Sequence, residues 1–470
     1  MKQILLILST IVMIPASQGE ETPTPLFQTR TLYAPGHFGN SYEVMSRFEM
    51  RDLLEEAKFW GFNEYSDWFD TIDCADPFID KHYNLAGALW DRKKENLRTA
   101  QVLGFARVLV ITPNHVFLDQ VRPEIEATKE GRIFGQLLCP SITEGREIIL
   151  KNYRNLFEDL SKFGVHLNAL AFCPYDYGGC ACDKCAPWIL TFAELTKEIH
   201  QIALESHPGI EARFIGWWWT PEEHQQFAEW ADREAPGWAK AMALHIPYGK
   251  TGVADVPLPK GCERHAFVHI GYGDVSSDRD IYGHLGPVCA AARIEETVNN
   301  LKAEGVTGWM AYSEGVFDDV NKALLAGLSS SVYDSTHKIL ETYAERYFKA
   351  APEYQKKWAS WLAAFGHPFD VDLGQSRKTF SGLTQEMESK NWRLEQWALK
   401  LRMLELNSQI EASEGWADSD FELAEEYWRT KDELRREVWG LGPQRHVLAD
   451  RFKRPSWAGD WEKARVLQKN

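Results

Sequence analysis

Four of the eight cysteines, Cys173, Cys180, Cys182 and Cys185, fall within one short stretch with C-x6-C-x-C-x2-C spacing. Thiolates at this density can close a tetrahedral site for a structural zinc, and Cys182 and Cys185 have the two-residue spacing common in such sites. Two disulfides are the rival reading, natural in an oxidising compartment. Closely spaced cysteines satisfy disulfide geometry poorly, which favours the metal. Cys139 is a substitute for Cys173 as fourth ligand. A catalytic zinc is not expected, because such sites keep an open position and generally use His or carboxylate ligands, and no HxH or HExxH spacing appears.

The same stretch contains Asp176, in Pro174-Tyr175-Asp176-Tyr177-Gly178-Gly179. A carboxyl between two tyrosines and ahead of two glycines is expected to be partly desolvated, which raises its pKa and suits it to act as an acid. Glu314 ends the apolar run Trp309-Met310-Ala311-Tyr312-Ser313-Glu314-Gly315, where a structural carboxylate would need a partner to offset its burial. One protonated and one ionised carboxyl are what glycosidic cleavage requires. Asp318, Asp319 and Asn321 read as an ordinary N-terminal helical turn.

Such groups need a scaffold, and up to about Ser330 the chain repeats a short apolar or aromatic run followed by a longer amphipathic segment. The runs are Arg30 to Ala34, Phe62 to Asp67, Ala106 to Thr112, Leu167 to Cys173, Ala212 to Trp218, Met242 to Ile246, Ala266 to Ile270 and Gly308 to Tyr312. Helices are expected over Arg51 to Trp60, Glu144 to Phe163, Pro187 to Glu205, Pro221 to Arg233 and Ile294 to Glu304, three of them released by Gly61, Gly164 and Gly305. Alternation of this kind implies parallel strands with right-handed crossovers, and eight units predict an α/β fold, a (β/α)8 TIM barrel. A doubly wound open sheet lacks the Gly-rich turn expected after its first strand.

In such a barrel the reacting groups sit at strand C-termini. His37, Asp67, His115, Tyr175, Trp217, Trp219, His245 and Asp274 all fall there and are the expected substrate-binding residues. Aromatic faces stack on sugar faces, while His and carboxylates bind hydroxyls. Of Trp217, Trp218 and Trp219, strand alternation should direct at least one ring to the site and a neighbour into packing. Asp67, Asp70, Glu222, Glu223 and Asp274 are the reserve carboxylates. Beyond Ser331 only helical patterns occur, over Thr336 to Lys349, Pro352 to Ala364, Leu383 to Ser413 and Asp420 to Val438, predicting a C-terminal α-helical domain whose tryptophans fill core and interface.

Met1 and Lys2 lead into the apolar run Ile4 to Ile14, and Pro15, Ala16, Ser17, Gln18 and Gly19 resemble a signal-peptidase site. The run is well short of the ~20 residues that span a bilayer. The expected organisation is therefore a signal peptide over 1–19, the barrel over 20–331 and the helical domain over 332–470, with export to the periplasm or the extracellular space and no membrane span. A formal net charge of −16 argues against a nucleic-acid partner and leaves a carbohydrate partner open.

Pro174-Tyr175-Asp176-Tyr177-Gly178-Gly179-Cys180-x-Cys182-x-x-Cys185, Leu138-Cys139-Pro140-Ser141 and Tyr312-Ser313-Glu314-Gly315-Val316-Phe317-Asp318-Asp319-Val320-Asn321-Lys322 resemble a bacterial branch of barrels related to hexosaminidase-type and α-glucuronidase-type glycoside hydrolases. Tyr343-Ala344-Glu345-Arg346-Tyr347-Phe348 is similar to a helical segment that follows the barrel in some of them. Substrate-assisted hexosaminidases carry adjacent Asp and Glu after strand four, whereas Tyr175-Asp176-Tyr177 stands here. The α-glucuronidase likeness implies inversion with a Glu acid at that place, which Asp176 approximates. Two functions follow as expectations: a glycoside hydrolase cleaving a terminal sugar with Asp176 and Glu314 and no catalytic cofactor, or a noncatalytic glycan-binding barrel.

Overall fold

A computed structural model describes residues 24–37, 40–69, 75–79, 85–175, 177–246, 252–271, 286–313, 315, 318–365, 371–387, 391–413, 415–439 and 455–468. The expected signal segment, Asp70, Asp176, Asp274 and Glu314 lie outside the described residues.

Eight strands close into one barrel in sequence order: β1 Thr29–Tyr33, β2 Glu64–Trp68, β3 Ala106–Ile111, β4 Ala169–Phe172, β5 Glu211–Ile215, β6 Ala239–Ile246, β7 Glu263–His269 and β8 Gly308–Tyr312. Every pairing is parallel, including the closing pair, where Thr29 lies beside Gly308 and Tyr33 beside Tyr312. The helices are α1 Ser41–Val44, α2 Arg47–Trp60, α3 Leu85–Val102, α4 Thr143–Lys162, α5 Trp188–Ser206, α6 Pro221–Glu234, α7 Ala291–Ala303 and α8 Asp319–Ser329. Local chemistry sets their ends. Ser46 and Glu49 form a capping box on α2, Gly61 leaves it at φ 110°, and Gly164 and Gly305 release α4 and α7 at φ 81° and 72°.

After the barrel come α9 Thr336–Tyr343, a π-helical turn Ala344–Phe348, α10 Pro352–Ala363, α11 Leu373–Gln385, α12 Trp392–Glu411, α13 Asp418–Trp439 and α14 Ala458–Gln468. One expectation changes here. The segment expected as a single helix over Leu383 to Ser413 is divided, because the Asn391 side chain accepts from the Leu394 N–H and starts α12 afresh. Trp358, Trp361 and Trp397 are buried together, as expected of core filler.

Strand alternation sorts side chains into two apolar clusters. Leu109, Ile111, Leu170, Phe172, Trp309 and Ala311 point outward and join the large core between barrel and helices. Val108, Val110, Ala169, Ala171, Phe267 and Met310 point inward and form a separate cluster inside the barrel. At its N-terminal end the interior is polar. Buried Glu64 of β2 accepts from Thr31 of β1 at 2.7 Å and from Arg213 of β5 at 2.9 Å, so a charged pair spans the floor. No helix among the described residues is long and apolar enough to cross a membrane.

Candidate functional site

At the other end of the barrel, inward positions carry rings rather than aliphatic groups. His37 follows β1, Trp68 ends β2, His115 follows β3, Tyr177 follows β4 and Trp217 follows β5, while His245, His269 and Tyr312 sit near the ends of β6, β7 and β8. They touch one another around the mouth. His37 meets Trp68 edge-on at 5.4 Å, Trp68 meets Tyr177 at 5.9 Å, and Tyr177 stacks on His115 at 5.6 Å. Phe134 bridges Tyr177 at 4.9 Å to Trp218 at 6.1 Å, and Trp218 stacks on Trp217 with planes 22° apart. Trp217 abuts His245 at 4.3 Å and His269 at 5.1 Å, and His269 meets Tyr312 at 5.2 Å. The Tyr312 hydroxyl lies 3.2 Å from His37 Nε2, which completes the circuit. All eight strands thus contribute a ring to the mouth. The sequence-expected residues His37, His115, Trp217 and His245 come together there.

Burial lowers the His115 imidazole to about 3, so it is neutral in ordinary buffers. Neither of its ring nitrogens has a hydrogen-bond partner among the described residues. Two non-glycine residues at the mouth occupy the left-handed region, Tyr177 at φ 69° and Trp218 at φ 61°. For bulky side chains that conformation costs roughly 1–3 kcal/mol and is characteristic of functional loops.

The loops behind the ring are tightly tied. Asn114 donates to the Leu138 carbonyl at 3.1 Å and the Gly179 carbonyl at 2.7 Å, and accepts from the Gly179 N–H at 3.0 Å. Gly178 must be glycine, since a Cβ there would stand 2.5 Å from Thr112 and 2.7 Å from the Pro174 carbonyl. Tyr175 turns away from the mouth and lies buried, its hydroxyl donating to Glu223. Burial, then the Glu223 charge, push its pKa up. Arg132 lies over the Tyr175 ring at 3.8 Å, pairs with Glu223 at 2.7 Å and donates to the Trp218 carbonyl. Glu223 also closes the α6 capping box, accepting from the Thr220 N–H at 2.8 Å. This reserve carboxylate is therefore filled by internal partners.

Besides Tyr175, two more expected binding residues face away from the mouth. Asp67 shares the outward parity of Tyr65, and its carboxylate accepts from the Gly36 N–H at 3.1 Å, the Trp68 N–H at 2.8 Å and Lys93 Nζ of α3 at 2.8 Å. It is wholly buried and holds the β1 loop onto β2. Trp219 packs on His224 at 4.8 Å, Phe227 at 5.2 Å and Phe192 at 6.0 Å, between barrel and helices. The left-handed turn at Trp218 reverses the alternation, so Trp217 and Trp219 point to different layers.

On the far side, the residues flanking Glu314 are anchored. The Gly315 carbonyl accepts from the Tyr42 hydroxyl at 2.7 Å and from Lys322 Nζ at 2.9 Å, and Tyr42 also lies 2.5 Å from Ser313 Oγ. Lys322 pairs with Asp318, both buried. Burial raises Asp318, and the Lys322 charge opposes that shift. Asp318 is the N-cap of α8 and Asp319 lies in its first turn, as expected, and Asp318 is in addition part of a buried network. Asp319 instead accepts from Tyr343 and Arg393 of the helical region.

Of the four expected metal-site cysteines, three stand together, and their fourth neighbour is Cys139. The sulfurs of Cys139, Cys180, Cys182 and Cys185 lie within 4.8 Å of one another and can hold a metal. Cys173 continues the inward parity of Ala169 and Ala171, and its thiol donates to the Tyr175 carbonyl at 3.1 Å. No disulfide joins the described cysteines.

Neither a protein-family model nor a curated protein matches the chain. Among solved structures it is similar to CpGH84B, at 15% identity over 92% of this chain and 77% of that one, with a TM-score of 0.44. It is also similar to an O-GlcNAc hydrolase mutant of Thermobaculum terrenum, at 12% identity over 93% and 97% with a TM-score of 0.41. A third is an endo-1,4-beta-mannanase from Eisenia fetida, at 11% identity over 66% and 92% with a TM-score of 0.37. All three scores lie below one half, and the barrel rests on its own pairing register.

Sequence reasoning missed His269, Phe134, Arg132, Lys322 and Tyr42. His269 had a readable signal, because it follows His265 and Phe267 at the inward parity of β7. The others reach the mouth from long loops or helices, where no short-range period points to the site.

Proposed function

We propose that this chain is an exported glycoside hydrolase that removes a terminal sugar from an oligo- or polysaccharide. Asp176 serves as acid and Glu314 as nucleophile or base. The supporting observation is the closed circuit of aromatic and imidazole rings at the barrel mouth, with every strand contributing. Aromatic faces suit the apolar faces of a sugar, and imidazole nitrogens suit its hydroxyls. Asp176 lies between two tyrosines that point to opposite sides of the β4 loop, and Glu314 between two residues anchored by Tyr42 and Lys322. His37, His115, Trp217, His245 and Asp274 contact the substrate in this reading, and catalysis uses no cofactor. Export rests on the leader pattern, and N-terminal sequencing of the mature protein tests it.

The test is turnover on a broad panel of oligosaccharides, with Asp176→Asn and Glu314→Gln compared with wild type. Each variant should fold and bind sugar normally while losing roughly two to four orders of magnitude in rate, without the two losses adding. Glycan binding with no released product would transfer the reading to a noncatalytic binding barrel. Hydrolysis that survives both substitutions would remove this pair.

A further inference from the structure

We propose that Cys139, Cys180, Cys182 and Cys185 form a four-thiolate site for one zinc ion, which staples the segment between β3 and α4 to the segment between β4 and α5. The proposal is independent of the glycosidase reading. Its basis is the shape of the cluster. Cys139 Sγ lies 3.7 Å from Cys182 Sγ and 3.6 Å from Cys185 Sγ. A tetrahedron drawn with Zn–S bonds of ~2.3 Å has edges of about 3.8 Å. A disulfide would need a pair at about 2.05 Å. Iron–sulfur clusters hold their cysteines around several irons and need a wider cage than these edges give.

The surroundings suit thiolates. Cys139, Cys180 and Cys185 are buried, and Cys182 is half-buried. Ser141 Oγ lies 3.0 Å from Cys185 Sγ. Such a group belongs to the outer shell that orients metal ligands. A buried cluster of four protonated thiols would have only weak S–H donors to offset its desolvation.

The position gives the ion a task. Cys139 is separated by 43 residues from Cys182, and besides the sulfurs the two segments meet through Asn114 and Gly179, the Ala181 N–H to Thr128 carbonyl bond of 2.8 Å, and the contacts of Arg132 with Tyr175 and of Phe134 with Tyr177. One segment carries Arg132 and Phe134, the other Tyr175 and Tyr177, so the staple sits directly behind one wall of the mouth. Metal loss should loosen that wall as well as lower stability.

The experiment is elemental analysis of the full-length protein, purified without chelator, for wild type, Cys139→Ser and Cys173→Ser. About one zinc per chain is expected in wild type and in Cys173→Ser, and a loss of at least about tenfold in Cys139→Ser, because a closed tetrahedral site needs all four ligands. If Cys139→Ser does not fold, refolding wild type with Co2+ alone should give the intense thiolate-to-metal absorption of a tetrahedral four-sulfur site. Wild type without zinc, iron in its place, disulfides mapped among the four cysteines, a cobalt spectrum without thiolate bands, or zinc lost equally in Cys173→Ser would each overturn the assignment. Zinc is measured without substrate, so an inactive barrel that carries it would sink only the hydrolase reading.

Discussion

Replacing Lys322 with methionine removes one charge from beneath the barrel mouth while preserving most of the side chain's length. The lysine is buried, donates to the wholly buried Asp318 and to the Gly315 carbonyl at 2.9 Å, and stands 5.5 Å from the Tyr42 ring centre. Deleting one partner of a buried pair leaves an uncompensated charge, a loss of ~3–5 kcal/mol. Tyr42 still donates to the Gly315 carbonyl, so the lower end of that range, ~3 kcal/mol, is expected. Burial already raises Asp318, and without Lys322 that shift becomes larger. A carboxyl whose folded pKa lies above its unfolded value loses stability as pH rises through the folded pKa. The variant should therefore be less impaired at pH 5 than at pH 8. Urea unfolding followed by tryptophan fluorescence at both pH values reads this, and Asp318→Asn with Lys322→Met should cost less than the sum of the single changes. A penalty below ~1 kcal/mol, the size of an exposed pair, or one that does not relax in acid, would refute the buried-network account. Turnover should fall beyond the loss of stability, because the anchored carbonyl adjoins Glu314.

Trp217→Ala should weaken glycan binding about tenfold, equivalent to ~1.4 kcal/mol, with a small change in melting temperature. Trp219→Ala should do the reverse, losing ~3–5 kcal/mol of stability as a packed aromatic; calorimetric titration and thermal unfolding separate the two, and equal behaviour would dissolve the distinction. His207 and His224, both lowered to about 4 mainly by burial, should make the fold acid-sensitive. Their contribution is complete above the unfolded value of about 6.5 and declines as pH falls towards 4, by at most about 3 kcal/mol each. His207→Gln should flatten that limb in a series of urea midpoints against pH, and an unchanged limb would count against it. Gly178→Ala should destabilise by at least ~1–3 kcal/mol, because its Cβ would strike the Pro174 carbonyl; an unchanged urea midpoint would show that the loop relaxes freely.

The barrel was legible because its strands are short apolar runs separated by amphipathic helices, a pattern that survives without tertiary information. All eight expected runs coincide with strands. The site was legible only in part. His37, His115, Trp217 and His245 could be found from strand ends alone. Asp67 and Trp219 are placed by parity, which depends on where each strand stops and whether a left-handed residue resets it. The Trp218 φ of 61° is invisible in residue types, since tryptophan does not advertise that conformation. Cys139 was only a substitute in the sequence, because its approach to Cys180, Cys182 and Cys185 depends on how two loops fold against each other. Asp318 looked like a helix-dipole partner, and only its burial against Lys322 distinguishes it.

The closing strand pair has a consequence for how the chain reaches its native state. Thr29 and Gly308 are about 280 residues apart, against 33 for Thr31 and Glu64. Joining the more distant pair costs roughly 2 kcal/mol more in chain entropy by the logarithmic law. Helical segments after the barrel lie across this joint: Arg346 and Tyr347 bond to Glu56 of α2, and Tyr343 and Arg393 bond to Asp319 of α8. The extension therefore acts as a latch, holding the first and last units together once they have met. Its absence would quicken reopening at that joint even if no residue of the extension ever touched a sugar.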